Sequence, residues 1–248
     1  MRSKKAIKNI ISSLLLQVVT IICGFIVPRL IIENYGSDVN GLVTSIAQFL
    51  AYITLLDSGI GQVIKAALYR PISNNSDDEV EKILKASEKF FKAIAYILII
   101  YVFVLCIVFP KIMNGQFDNL YTLSLVIIIS ISTFAEYFIG MTYKVFLQAK
   151  QEVYITSIIQ ILATVLNTIF IVILINSGAN IQVVKLISAI IFILRPILQN
   201  IYVKKKYNIN LKNADKNYEL EQKWDGLTQH IASVVHNNAD VSILTIFS

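Results

Sequence analysis

Apolar runs of about twenty residues recur along this chain, separated by short polar stretches. A helix of that length crosses a hydrocarbon core of ~30 Å. Six runs are complete: Ile10–Ile32, Gly41–Leu68, Phe90–Pro110, Leu120–Tyr143, Val153–Asn176 and Gln182–Val203. A seventh opens near Leu227 and is still apolar at Ser248, so a longer protein is expected. None of the runs alternates polar and apolar positions over about ten residues, as a membrane β-strand would. The pattern predicts an all-α, polytopic integral membrane protein. It would have a six-helix transmembrane bundle over residues 1–203, a charged linker over 204–226 and the start of helix seven over 227–248.

The polar stretches add local detail. "ENYGSDVN", Glu33–Asn40, reads as a short hairpin turn, with Tyr35-Gly36-Ser37 and Asn40-Gly41 supplying the turn chemistry. "SDDEVEKILKASEKFF" begins with Ser76 and has Glu79 three residues on, the spacing of a capping box, with acids in the first turn. Its apolar face, Val80, Ile83 and Leu84, predicts an amphipathic surface helix running into the third span. Asp77 and Asp78 could also suggest the acidic pair of a metal-dependent glycosyltransferase, but helix capping is the simpler account. Pro28 and Pro196 lie inside apolar runs and predict kinks.

Composition agrees with the pattern. Hydrophobic residues make up 56% and charged residues 15% of the chain, and mean hydropathy is +0.66. A soluble domain carries about 25% charged residues, so this chain has too little polar surface for one. A net charge of +6 would suggest nucleic acid in a soluble protein; here the distribution of the charges matters more, and no nucleic acid is expected. Cys23 and Cys106 fall within apolar runs and read as packing residues. Richness in Ile, Lys and Asn fits an AT-rich bacterial genome. The basic start lacks a small-x-small cleavage site after its long apolar run, so it reads as an uncleaved first helix.

Lysine and arginine positions set the expected orientation. With the N-terminus cytoplasmic, the inner side receives eighteen of the 22 basic residues and only Arg29, Lys111, Lys185 and Arg195 are left over. Outer loops are short and inner connections longer. The lysine-rich stretch after the sixth run divides six spans from a seventh, as in transporters built from two halves.

Catalytic signatures are absent. There is no nucleophile elbow, HExxH, CxxC pair or phosphate-binding GxxxxGK[ST], and no enzyme is expected. "GIGQ" at Gly59–Gln62 reads as a close-packing site, and His230 and His236 fall on different helix faces. Polar stripes do run along the spans: Ser13, Gln17, Thr20 and Gly24; Ser45, Gln48 and Tyr52; Ser130, Thr133, Tyr137 and Gly140; Thr156, Gln160, Thr164 and Asn167; Gln229, Ser233, Asn237 and Asp240. Such stripes can simply glue helices together, but five in one chain point to a shared polar interior. A charge at mid-membrane costs about 2.5–3.5 kcal/mol and usually faces a cavity or a partner. Asp57, Glu136 and Asp240 are therefore candidates for ion coupling. Arg29, Arg195, Gln17, Gln48, Gln160 and Asn167 are candidates for a substrate cavity, while Lys65 reads as an interfacial anchor.

The basic start, "VPRLIIENYGSDVNGL", "LLDSGIGQVI" and the following "LYRPIS" resemble the Wzx-like polysaccharide flippases. These belong to the multidrug/oligosaccharidyl-lipid/polysaccharide exporter superfamily, and "QHIASVVHNNADVSILTIFS" resembles the start of that family's second half. The resemblance implies a bacterial plasma-membrane transporter that moves a lipid-linked oligosaccharide to the outer leaflet by alternating access. It further implies two bundles around a central, often cationic cavity. Arg29 and Arg195 would meet the substrate's negative charge; Asp57, Glu136 and Asp240 would couple H+ or Na+ or shape the cavity. Membrane lipids and polysaccharide polymerase machinery would be partners, and no cofactor is expected. A multidrug/cation antiporter of the same superfamily is the nearest alternative. A membrane component of polysaccharide polymerisation is a further one, though it would usually carry a large outer loop.

Overall fold

The computed structural model describes residues 2–113 and 115–211. Every regular element among them is helical. The elements are α1 (Arg2–Tyr35), α2 (Ser37–Ala51), a 3₁₀ segment (Tyr52–Leu56), α3 (Ser58–Asn74), α4 (Asp77–Ile112) and α5 (Asn119–Ala135). A π segment (Glu136–Gly140), α6 (Met141–Ala149), α7 (Val153–Asn176) and α8 (Ile181–Tyr207) complete the order. Five helices are long and apolar enough to cross a membrane, and a sixth span results if α2 and α3, bent by 46°, count as one. This is the architecture of a multi-pass α-helical membrane protein.

α1 packs on α7 and α2; α7 packs on α8; α8 meets α5, the π segment and α6; α4 closes the ring against α5, α3 and α6. The best-buried side chains, among them Ile46, Ile64, Leu84, Phe91, Leu125 and Phe146, fill the space between α2–α3, α4 and α5–α6. Outward faces remain apolar: Leu14, Val18 and Phe25 on α1, Ile100 and Phe103 on α4, Leu162 and Ile173 on α7, and Leu194 and Leu198 on α8 are exposed. In water such a belt would be a liability, whereas in lipid it is the solvated surface. Two hydroxyl groups lace neighbouring spans through carbonyls: Tyr101 Oη donates to Phe49 O at 2.9 Å, and Tyr35 Oη donates to Ala179 O.

Several boundaries differ from the sequence expectation. The first hairpin is tighter than eight residues: only Gly36 separates α1 from α2, at φ +90°, a conformation that glycine adopts without strain. Asn40 and Gly41 are helical, so they supply no turn. The expected surface helix and third span form one continuous helix, α4. Its start carries Asp77, Asp78 and Glu79 against the helix dipole, but the Ser76 side chain makes no capping hydrogen bond, so the capping box does not form. A side-chain cap does form at α8, where Asn180 Oδ1 accepts from Val183 N at 3.0 Å.

The prolines do not interrupt their helices: α1 runs through Pro28 and α8 through Pro196. The interruptions lie instead in the second span, which changes to 3₁₀ at Tyr52–Leu56, and in the fourth, which changes to π at Glu136–Gly140. The predicted linker from Lys212 onward and the seventh helix lie outside the described residues.

Candidate functional site

The π segment of the fourth span lies against Pro196 of α8. A Cβ added at Gly140 would come within 2.7 Å of Pro196 Cβ and 3.3 Å of its Cα, so the close approach requires glycine. A π turn carries one extra residue per turn and commonly marks a functional position. Here it opens with Glu136, whose carboxylate accepts from Lys144 Nζ at 3.3 Å. The same carboxylate acts electrostatically on Arg195, one residue before Pro196. Arg195 Nη1 donates to Gln160 Oε1 on α7, its Nε donates to Phe192 O at 3.2 Å, and its guanidinium lies 4.7 Å from the Phe192 ring centre. The direct partners of this arginine are thus a neutral amide, a carbonyl and a ring. One carboxylate serves both Lys144 and Arg195, and the cluster keeps net positive charge.

Tyr137, the next residue of the π segment, hydrogen-bonds to the Asp57 carboxylate. Asp57 is buried and follows the 3₁₀ segment. An acid next to the 3₁₀ segment and a phenol of the π segment thus join the second and fourth spans. A buried carboxylate needs such a donor, and a helix break supplies backbone room for the pair.

Beside this cluster, residues of α1, α2, α5, α7 and α8 line a half-open cavity of about 190 Å³. Its polar lining is Lys185, Asn167, Ser132 and Ser188. Phe192 lines it too and carries the Arg195 guanidinium above its ring, which links the cavity to the arginine cluster. Asn167 is buried, and its Oδ1 has no hydrogen-bond partner.

A third polar assembly sits at the end of the bundle holding the first residues of α1. Glu152, 2% exposed, lies in the turn between α6 and α7. Its Oε1 pairs with Lys5 Nζ at 2.8 Å, and its Oε2 pairs with Lys206 Nζ at 2.8 Å. Burial pushes this carboxyl's pKa up, yet hydrogen bonds from Lys206, Lys5 and Tyr207 outweigh burial and hold it at about 2. Asn9 reinforces the junction, donating to Gln151 O at 3.0 Å and accepting from Tyr154 N at 2.9 Å.

Of the residues singled out in the sequence, Asp57 and Asn167 are buried in the bundle, and Arg195, Gln160 and Glu136 are half-buried around the π segment. Gln17 and Gln48 are exposed on their helices. The Arg29 side chain is 78% exposed and pairs with Glu33 one turn on at 2.7 Å. Asp240 and His236 lie outside the described residues. No sequence motif marks Lys144, Tyr137, Lys185 or Glu152 as a site residue. Lys185 carried a signal all the same, as one of the four basic residues that the charge rule left over. No known protein family, curated protein or solved structure matches the chain.

Proposed function

We propose that this protein is a bacterial plasma-membrane transporter that moves a lipid-linked oligosaccharide from the cytoplasmic to the outer leaflet by alternating access, with its N-terminus in the cytoplasm. The observation that carries the reading is Arg195: a half-buried cation midway along the apolar span α8, held by Gln160, a backbone carbonyl and Phe192 rather than by a carboxylate of its own. A positive centre inside a membrane protein usually faces a cavity or a partner. The anionic linkage of a lipid-linked sugar is such a partner, and its lipid tail can stay in the bilayer while the head group crosses. The broken second and fourth spans would provide the bending points. Lys144 and Glu136 would adjust the charge next to Arg195 as the substrate arrives.

The test is export of surface polysaccharide in cells expressing the protein from its native gene. Arg195→Ala should abolish export at unchanged membrane abundance, and Arg195→Lys should restore part of it. Normal export by Arg195→Ala would overturn the assignment. A cation antiporter is the second reading, favoured by the interior carboxylates Asp57 and Glu136. In sealed vesicles, cation efflux lost in Asp57→Asn, with no oligosaccharide movement in the parent, would select it.

A further inference from the structure

Arg29 lies six residues before the end of α1 and Lys185 four residues after the start of α8, so each stands within two turns of a helix end. Their surroundings differ. The Arg29 side chain is 78% exposed and pairs with Glu33. Lys185 is half-buried and lines the half-open cavity between α1, α2, α5, α7 and α8. None of the residues lining that cavity is acidic, and Lys185 makes no ion pair or hydrogen bond with any described residue.

The other polar groups of the wall add a donor and no negative charge. Asn167 Oδ1 is buried away from the cavity surface, so the amide N–H end is the part that can reach a ligand. The hydroxyls of Ser132 and Ser188 already donate to carbonyls, Ser132 at 3.4 Å to Ile129 O and Ser188 at 3.0 Å to Val184 O. Val27, Val43, Ile129 and Ile171 form apolar wall beside them. One face of α8 shows what is missing. Lys185, Ser188, Phe192 and Arg195 recur at +3, +4 and +3, so two cations share that face. Arg195 has Gln160 Oε1 as an acceptor and feels the Glu136 carboxylate. Lys185 has neither, and a charge within a membrane span usually has a partner. An anion from outside the chain supplies one.

We infer that this cavity binds an oxyanion, with the Lys185 ammonium as its counter-charge and the Asn167 amide N–H as a further donor. Charge and hydrogen-bond direction select the class: a cation is repelled by Lys185, and a neutral alcohol leaves the ammonium without a counter-charge. The opening sets no limit on what the oxyanion is attached to. It is either a free ion or the head group of an amphiphile whose tail passes along the apolar wall. The site rests on its own donors and is independent of what the protein transports.

Isothermal titration of the purified full chain in non-ionic detergent, at pH of about 6.5 where lysine is ordinarily charged, tests the site with hexanesulfonate, hexyltrimethylammonium and sulfate. Hexanesulfonate should bind at least about tenfold more tightly than hexyltrimethylammonium, which has the same tail and the opposite charge. Lys185→Met should weaken hexanesulfonate at least about tenfold, and Lys185→Arg should hold it within about threefold. Without ligand, Lys185→Met should melt no lower than the parent, since it removes a cation that has no partner. Asn167→Asp puts a carboxylate into the wall and should weaken hexanesulfonate at least about tenfold. Sulfate binding as tightly as hexanesulfonate identifies a free ion as the ligand, and much weaker sulfate binding identifies an amphiphile's head group; both support the site. Equal binding of the two hexyl probes, unchanged hexanesulfonate binding by Lys185→Met, or no binding of hexanesulfonate and sulfate overturns it.

Discussion

Glu152 shows how much a single buried acid can organise. It receives lysines from both ends of the chain's described part, Lys5 at the start of α1 and Lys206 at the end of α8, and so closes three spans at one end of the bundle. Hydrogen bonds to a charged group contribute about 1.5–3 kcal/mol each, and the carboxylate keeps its charge because those donors outweigh burial. Glu152→Gln should lower the stability of the purified protein by about 2 kcal/mol at neutral pH, read as a lower melting temperature in detergent. The folded pKa of about 2 lies below the ordinary 4.5, so the stabilisation is complete above about pH 4.5 and is lost as pH falls towards 2. The parent's advantage over Glu152→Gln should accordingly vanish over that interval; a constant difference down to pH 2 would contradict the assignment.

At the level of elements, the departures from α geometry among the described residues fall at no proline in sequence, although the π segment packs on Pro196 of α8. In α1 and α8 the missing amide hydrogen bond leaves each helix continuous, as membrane helices with packed neighbours tolerate. In the second span, Asp57-Ser58-Gly59 is a polar, glycine-containing run of the kind that starts a new helix, and the chain resets there. In the fourth span the π segment brings Gly140 against Pro196, so two helices approach where a methyl group would overlap. Gly140→Ala should then destabilise the protein by about 1–3 kcal/mol and disturb the Arg195–Gln160 pairing next to it. Thermal melting measures the first effect and the export assay the second. Retention of both would mean that the interface shifts to admit a methyl group.

For the whole molecule, the proposed cytoplasmic N-terminus gives a direct labelling test. In a background with Cys23 and Cys106 replaced by serine, a cysteine at Ser177, exposed in the α7–α8 turn, should react with an impermeant maleimide in intact cells. A cysteine at Ser73, exposed at the end of α3, should react only after permeabilisation. The reverse pattern would place the bundle the other way up, and the transport direction proposed from it would fall with it.

Helix content, span number to within the bent pair, and the candidate charges were legible in the sequence, because lipid demands long apolar runs and makes any interior charge conspicuous. Arg195 and Glu136 stood out for that reason, and so did Arg29, which lies on an exposed face beside Glu33. Burial within a span depends on which side of a helix meets its neighbours, and the run of hydrophobic residues does not encode that when every face is apolar. The first polar stripe shows it: Gln17 is exposed although its spacing matches that of Gln160, which reaches Arg195. Pairings across long separations, Lys5 with Glu152 and Asp57 with Tyr137, needed the packed bundle, since loop closure places them and no local signal does. The sequence alone determined that the chain is a multi-helix membrane protein with charges inside it. Tertiary structure decided which charges meet, because only the packing of helices sets which faces lie together.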